Sequence, residues 1–298
     1  MKYLKYLNKY PNLNGKVYLI TGANSGLGFE LARHLYYLGA SLIFACRNKE
    51  KAYEAKKKIY NEFGVIGEIF VEEYDQASFE SIDRFCEILL ERYDINGLVA
   101  NAGVYFPKQG AKTKDNLELT VGTNYFGTFR LIQNLKQYLK NKKVKIVIVT
   151  SLTAFLSKYI ELEKFEKLSR NKLYGYSKLL LAKYAYELSI KGYNVSLVHP
   201  GVCSTNILFN KDTGLSSSFA RAGRKFLNIF THSATKASFT LLSGLKYKNC
   251  SLMYHKPRGL FAISGYPIIR KIPKKYYSKG LIEKTYKIIG GSESVINK

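Results

Sequence analysis

Apolar runs of strand length recur along the chain at Val17–Ile20, Leu42–Ala45, Ile69–Val71, Leu98–Ala100, Lys145–Thr150 and Val195–His199, with a weaker run at Leu260–Ile263. Between them lie stretches whose apolar positions repeat at helical spacing, among them Phe29–Leu38, Glu50–Phe63, Phe79–Tyr93, Gly122–Lys140 and Tyr174–Gly192. Short continuous apolar runs suit strands buried on both faces, and the helices between them supply the crossovers of a parallel sheet. Right-handed crossovers place successive helices on both faces of that sheet. The pattern predicts an α/β protein with a doubly wound parallel sheet of about seven strands. Ligands are expected at the carboxyl ends of those strands.

The first strand runs into TGANSGLG at residues 21–28, directly ahead of a helical stretch. Glycines at 22, 26 and 28 allow a tight turn and a close approach of the main chain to a pyrophosphate, whose charge the helix N-terminus holds. Gly22, Asn24, Ser25, Gly26, Leu27 and Gly28 are therefore a candidate phosphate cradle in a Rossmann-type fold. The competing reading is an ordinary glycine turn, and the strand and helix on either side weigh against it. The second strand ends in Ala45-Cys46-Arg47, about twenty residues further on, where such a fold selects its cofactor. An acid there would bond a ribose 2′-hydroxyl, whereas an arginine pairs with a 2′-phosphate. Cys46 stands where the acid would be and Arg47 follows it, which favours NADP(H) over NAD; a solvated arginine is the alternative.

Composition narrows the class. The chain has 298 residues, 46% of them hydrophobic, and no proline-rich linker or fixed-period repeat, so residues 1–298 read as one domain with an extension over 1–13. The cysteines at 46, 86, 203 and 250 and the histidines at 34, 199, 232 and 255 are scattered. That argues against a disulfide framework and a structural zinc site, and fits a reducing cytoplasm. The N-terminal MKYLKYLNKYP has no continuous apolar core, and no run of eighteen apolar residues occurs, so a soluble, unsecreted protein is expected. Lys and Arg outnumber Asp and Glu by 47 to 22, a net charge of +25, but spread evenly rather than in a nucleic-acid footprint. Weak peripheral contact with anionic lipid stays open, because Tyr3, Leu4 and Leu7 can share one helix face with Lys2, Lys5 and Lys9 elsewhere. Packing of that helix on the domain is the simpler reading.

TGANSGLG, Asn101-Ala102-Gly103, Asn124, Ser151, Tyr174-Gly-Tyr-Ser-Lys178 and His199-Pro200-Gly201 follow in this order and together resemble the short-chain dehydrogenase/reductase family over roughly residues 14–290. The TG-x-x-x-G-x-G spacing is similar to the single-domain branch. The phrases ACRN, VGTNYFGTF, LYGYSK and VHPGV look most like the retinol dehydrogenase and WW-domain oxidoreductase group, and are also similar to light-dependent protochlorophyllide reductase.

The chemistry has an independent footing. Carbonyl reduction needs a hydride from a nicotinamide and a proton from a positioned acid, and a phenol serves when a nearby cation lowers its pKa from about 10. Lys178 follows Tyr174 by four residues on an expected helix, so both project from one face. The resemblance implies that Tyr174 is the general acid/base and that Lys178 lowers its pKa and bonds the nicotinamide ribose. It also implies that Ser151 holds the substrate oxygen and that Asn124 positions a water for proton relay. Tyr176 points to another face. Further implied cofactor contacts are Asp75, Asn101, Ala102, Gly103, Pro200, Gly201, Val202 and Thr205. Asp75 could equally cap the helix starting near Phe79, Asn101-Ala102-Gly103 could serve stability, and Ser204 competes with Thr205 for the nicotinamide carboxamide.

In this family the segment after the sixth strand covers the substrate, here about residues 206–233. Ile207, Leu208, Phe209, Phe219, Phe226 and Phe230 suit a greasy ligand as well as they suit packing on the core. Lys211, Arg221, Arg224 and Lys225 read as a solvated face. The favoured expectation is an NADP(H)-dependent oxidoreductase transferring hydride between nicotinamide and a hydrophobic carbonyl/alcohol substrate. A protochlorophyllide-type C=C reductase and a non-catalytic dinucleotide-binding regulator are the alternatives, and a pure binding module has no use for Asn124, Ser151, Tyr174 and Lys178 together. By resemblance, a homo-oligomer is expected through the helices near 122–140 and 174–192.

Overall fold

Alternate residues of each central strand enter different cores, as continuous apolar runs require. Leu19, Ile43, Leu98 and Ile146 pack into one core, and Ile20, Phe44, Val99 and Val147 into the other. The computed structural model describes residues 4–202, 233–246, 252–259 and 262–290. Its strands are β1 (Val17–Thr21), β2 (Ser41–Cys46), β3 (Ile69–Glu73), β4 (Gly97–Ala100), β5 (Lys145–Val149), β6 (Val195–Val198), β7 (Met253–Pro257) and β8 (Pro267–Lys271). They form one eight-stranded sheet in the order β3-β2-β1-β4-β5-β6-β7-β8. All neighbours are parallel except β8, which runs antiparallel to β7.

Of the strand expected at Leu260–Ile263, residues 260 and 261 lie outside the described residues, and Ala262 and Ile263 are not in a strand. The seventh strand is β7, and Ala262 and Ile263 belong to the turn into β8, where Gly259 N–H donates to the Ser264 carbonyl at 2.9 Å and Gly265 takes φ 116°. Ala262 and Ile263 lie in the hairpin connection, while the mixed sequence MYHKP forms the strand because its neighbours bury Tyr254 and His255.

The first helix, α1 (Leu4–Leu7), packs on the domain: Leu7 is buried and the Tyr6 ring stacks on Tyr266 at 4.7 Å. No described helix is long and apolar enough to cross a membrane. One face of the sheet carries α2 (Gly26–Tyr37) and α3 (Lys49–Phe63); the other carries α4 (Phe79–Arg92).

The helix expected over Gly122–Lys140 starts earlier and runs from α5 (Leu119–Val121) through a π-helical turn over Gly122–Gly127 into α6 (Thr128–Asn134), and only at Leu135 does the backbone leave helical angles before α7 (Lys136–Asn141). The wide turn lies against a neighbouring loop so closely that a Cβ on Gly127 would sit 2.2 Å from the Gln76 carbonyl oxygen. Such π turns concentrate at functional sites.

Beyond β5 come α8 (Leu152–Leu156), α9 (Arg170–Ile190), α10 (Ala234–Lys246) and α11 (Leu281–Ile288). Helix α9 is buried almost all round, between β5 and β6, α8, the π-helical turn and α11, which also reaches α6. The buried Glu187 carboxylate accepts the N–H groups of Leu281 and Ile282 at 2.7 and 3.0 Å, and Tyr286 donates to Gln133 at 2.8 Å. The helices that the resemblance assigns to an oligomer interface are thus covered on this side by the chain's own α11.

Candidate active site

From β1 and β4 the chain winds in opposite directions, so their carboxyl ends open a crevice. A cleft of about 700 Å³ lies there, lined by Gly22, Asn24, Ser25, Gly26, Leu27, Arg47, Asp75, Asn101, Ala102 and Gly103. Gly22 and Gly26 take left-handed backbone angles, φ 69° and 57°, which a side chain would resist. Gly28 serves a different end. A Cβ on it would sit 2.3 Å from the Gly22 carbonyl oxygen and 2.7 Å from Asn101 Nδ2. Asn101 Nδ2 donates to the Thr21 carbonyl at 2.9 Å, and Thr21 Oγ1 accepts the N–H groups of Asn101 and Ala102 at 3.0 and 2.9 Å. Asn101-Ala102-Gly103 therefore locks the glycine loop in shape and also walls the cleft. Gly28→Ala is expected to cost about 1–3 kcal/mol of stability by overpacking and to weaken NADPH binding, read by urea unfolding and fluorescence titration.

At the far end, Cys46 closes β2 with its side chain buried, and burial pushes its thiol up to about 11. It is a packing residue beneath the glycine loop, while Arg47 is exposed at the rim of the cleft. Asp75 does not cap α4. That helix is capped by Ser78 Oγ, which accepts Ser81 N–H at 3.3 Å, and by Asp115, which accepts Phe79 N–H at 3.0 Å. The Asp75 carboxylate accepts Ala77 N–H at 3.1 Å and borders the cleft.

The next residue, Gln76, carried no signal in the sequence. Its buried Nε2 donates to the carbonyls of Ala102 and Thr123 at 3.0 and 2.8 Å, tying the loop after β3 to the cleft wall and to the π-helical turn. Thr21 was visible only as the first letter of the glycine motif.

The second group of expected residues gathers beside this cleft. Tyr174 and Lys178 stand one turn apart on α9, with Lys178 Nζ 5.8 Å from the centre of the Tyr174 ring. Lys178 is 5% exposed and donates to the Val149 carbonyl, at the end of β5, at 3.2 Å. Burial pulls its ammonium down to about 8. Ser151 begins α8, and its Oγ accepts Thr153 N–H at 3.3 Å. Asn124 lies in the π-helical turn. Its Nδ2 donates to the Val104 carbonyl and to Ser177 Oγ, both at 3.0 Å, and its Oδ1 accepts Val104 N–H at 2.7 Å.

Gly103 joins the two groups, since a Cβ on it would lie 2.8 Å from Asn124 Oδ1 and 3.6 Å from Lys178 Nζ. Tyr176 turns into the core, where its hydroxyl donates to the Ile160 carbonyl at 3.0 Å and burial raises its pKa. After β6, Gly201 takes φ 92° and Val202 N–H donates to the Ile263 carbonyl at 2.9 Å, which ties Pro200-Gly201-Val202 to the connection between β7 and β8. Ser204, Thr205 and the span 206–232 lie outside the described residues.

A glycine cradle at a topological switch point defines a nucleotide-binding protein of the doubly wound class, and the comparisons agree. The short chain dehydrogenase family matches residues 16–215. Retinol dehydrogenase 14 of Mus musculus is 37% identical over 215 residues, covering 65% of this chain and 63% of its own length. Human retinol dehydrogenase 12 is 30% identical over 259 residues, covering 83% of this chain and 81% of its own. The levodione reductase crystal structure shares the fold, with a TM-score of 0.66 at 19% identity, covering 81% of this chain and 96% of that one. The chain belongs to the short-chain dehydrogenase/reductase family, whose members are NAD(P)-binding oxidoreductases.

Proposed function

We propose that the protein is an NADP(H)-dependent reductase or dehydrogenase for a hydrophobic carbonyl/alcohol pair, with Tyr174 as general acid/base. The observation that carries this reading is the pairing of Tyr174 with buried Lys178 at the end of β5, joined to the nucleotide cleft through Gly103. The cleft fits a dinucleotide: its volume of about 700 Å³ lies within the usual range of ligand sites, and its glycine loop leaves main-chain N–H groups at a helix start. Gly22, Ser25, Gly26 and Leu27 would hold the pyrophosphate, Asp75 the adenine side, and Arg47 the 2′-phosphate. When bound, the nicotinamide supplies the hydride.

The chain's own residues handle the proton. Tyr174 donates its hydroxyl proton to the developing alkoxide, and takes it back in the oxidative direction. Lys178 uses one N–H on the Val149 carbonyl, which leaves donors for the phenolate and for the nicotinamide ribose. Its ammonium lowers the phenol's pKa electrostatically. Ser151 Oγ accepts a backbone N–H, so its own proton is available for the substrate oxygen. Both Asn124 amide protons are spent on Val104 and Ser177, so the water-positioning role falls to its main-chain carbonyl.

A hydrophobic substrate is supported by the two retinol dehydrogenases above, named for an apolar alcohol. The test is NADPH consumption by purified protein across aldehydes, ketones, quinones and retinoid or steroid carbonyls; no turnover despite tight NADPH binding overturns the reading. For the cofactor, Arg47→Ala is expected to weaken NADPH binding about tenfold or more and to leave NADH nearly untouched, since a charge-assisted pair to phosphate is worth about 1.5–3 kcal/mol. An unchanged NADPH-to-NADH ratio of Kd values rejects the assignment.

A further inference from the structure

We infer that Arg170 is a positioning residue that clamps the Tyr105–Phe106 turn against Tyr174, making Tyr105 a fixed wall of the substrate site; this rests on the function proposed above. Arg170, Tyr174 and Lys178 are spaced by four on α9 and so share one face. The Arg170 guanidinium carbon lies 3.7 Å from the centre of the Phe106 ring, and Nη2 donates to the Phe106 carbonyl at 2.8 Å. One side chain thus holds that residue at both its ring and its backbone.

Phe106 needs such a hold. It takes φ 52°, a region that bulky side chains avoid, although it precedes Pro107, which biases the residue before it towards extended angles. Strained residues of this kind persist only where the surroundings over-determine them, and they collect at ligand clamps. Two residues earlier, Val104 is held at both N–H and carbonyl by Asn124. Tyr105 sits between these two anchors. Its ring meets Tyr174 edge-on, with centroids 4.7 Å apart and planes at 84°. The turn therefore presents one aromatic residue, fixed from both sides, directly beside the proton donor. A carbonyl substrate reaching Tyr174 has to fit past the Tyr105 ring, which makes residue 105 a determinant of how much bulk is accepted beside the reacting carbon. Lysine cannot replace Arg170, because only a planar guanidinium stacks flat on a ring while donating sideways.

The test has two arms on the full chain. Hydrogen exchange over residues 104–109 is expected to quicken about tenfold in both Arg170→Met and Arg170→Lys, with the central strands unaffected. Unchanged exchange overturns the clamp. In the kinetic arm, Tyr105→Ala is expected to lower kcat/KM for linear aldehydes about tenfold while improving bulky ketones relative to them, with the NADPH Kd within about twofold of wild type. Adding Arg170→Met to that variant is expected to cost nothing more. An unchanged substrate ranking, or additive losses, overturns the role of the wall. Should the wild type turn over nothing on the panel, the proposed function fails, and the exchange arm still decides the clamp.

Discussion

Tyr174→Phe is expected to lower kcat by about 10²–10⁴-fold, the usual contribution of a positioned acid/base, while the NADPH Kd stays within about twofold. The substitution removes one oxygen and keeps the ring. The edge-on contact with Tyr105 and the proximity to Lys178 both involve that ring, so these two contacts are kept. The nucleotide cleft is built by other residues, from the glycine loop to Gly103. Stopped-flow turnover on the best substrate, beside fluorescence titration with NADPH, separates the two effects. Full activity in the variant would remove tyrosine catalysis from the mechanism, whereas loss of binding as well would mean that the ring also carries part of the cofactor site.

Lys178→Met is expected to trade activity for stability. Turnover should fall by about 10²–10³-fold, as when one fixed donor to a developing charge is removed. Stability should rise, because an ammonium that is 5% exposed is poorly solvated and held down to about 8 from the ordinary 10.5. Between those two pH values the unfolded chain binds more protons than the folded one, so the wild type gains stability as pH rises from 8 to 10.5. Below pH 8 the burial penalty is present in full, up to about 3 kcal/mol on the scale of 1.36 kcal/mol per pKa unit. The methionine variant should therefore be more stable at pH 7, with an advantage that shrinks towards pH 10.5; urea unfolding at pH 7, 9 and 10.5 reads it. A less stable variant at pH 7 would show that the bond to Val149 outweighs desolvation. Wild-type turnover should decline as pH rises through about 8, where the ammonium is lost.

Much of this site was legible in the chain because its signals are local. The glycine loop, Asn101-Ala102-Gly103 and the Tyr174–Lys178 pair are short segments whose spacing alone fixes a turn or a shared helix face, and the folded chain brings them together around Gly103. The five inner strands β1, β2, β4, β5 and β6 were legible for the same reason: burial on both faces leaves a continuous apolar run whatever the neighbours are. Tertiary structure decided the rest. Whether MYHKP or LFAI forms the seventh strand depends on which of them reaches β6 and β8, and no property of five residues records that.

Gln76 became a tie to the π-helical turn only because two segments remote in sequence pack within bonding distance. The left-handed turn at Phe106 is held by an arginine sixty-four residues away. The covering of α9 by α11 likewise rests on a glutamate and two backbone N–H groups ninety-four and ninety-five residues apart. Periodicity and motif spacing report what a residue does to its own few neighbours. Contacts across such separations depend on how whole elements pack, and that is where the detail beside Tyr174 was decided.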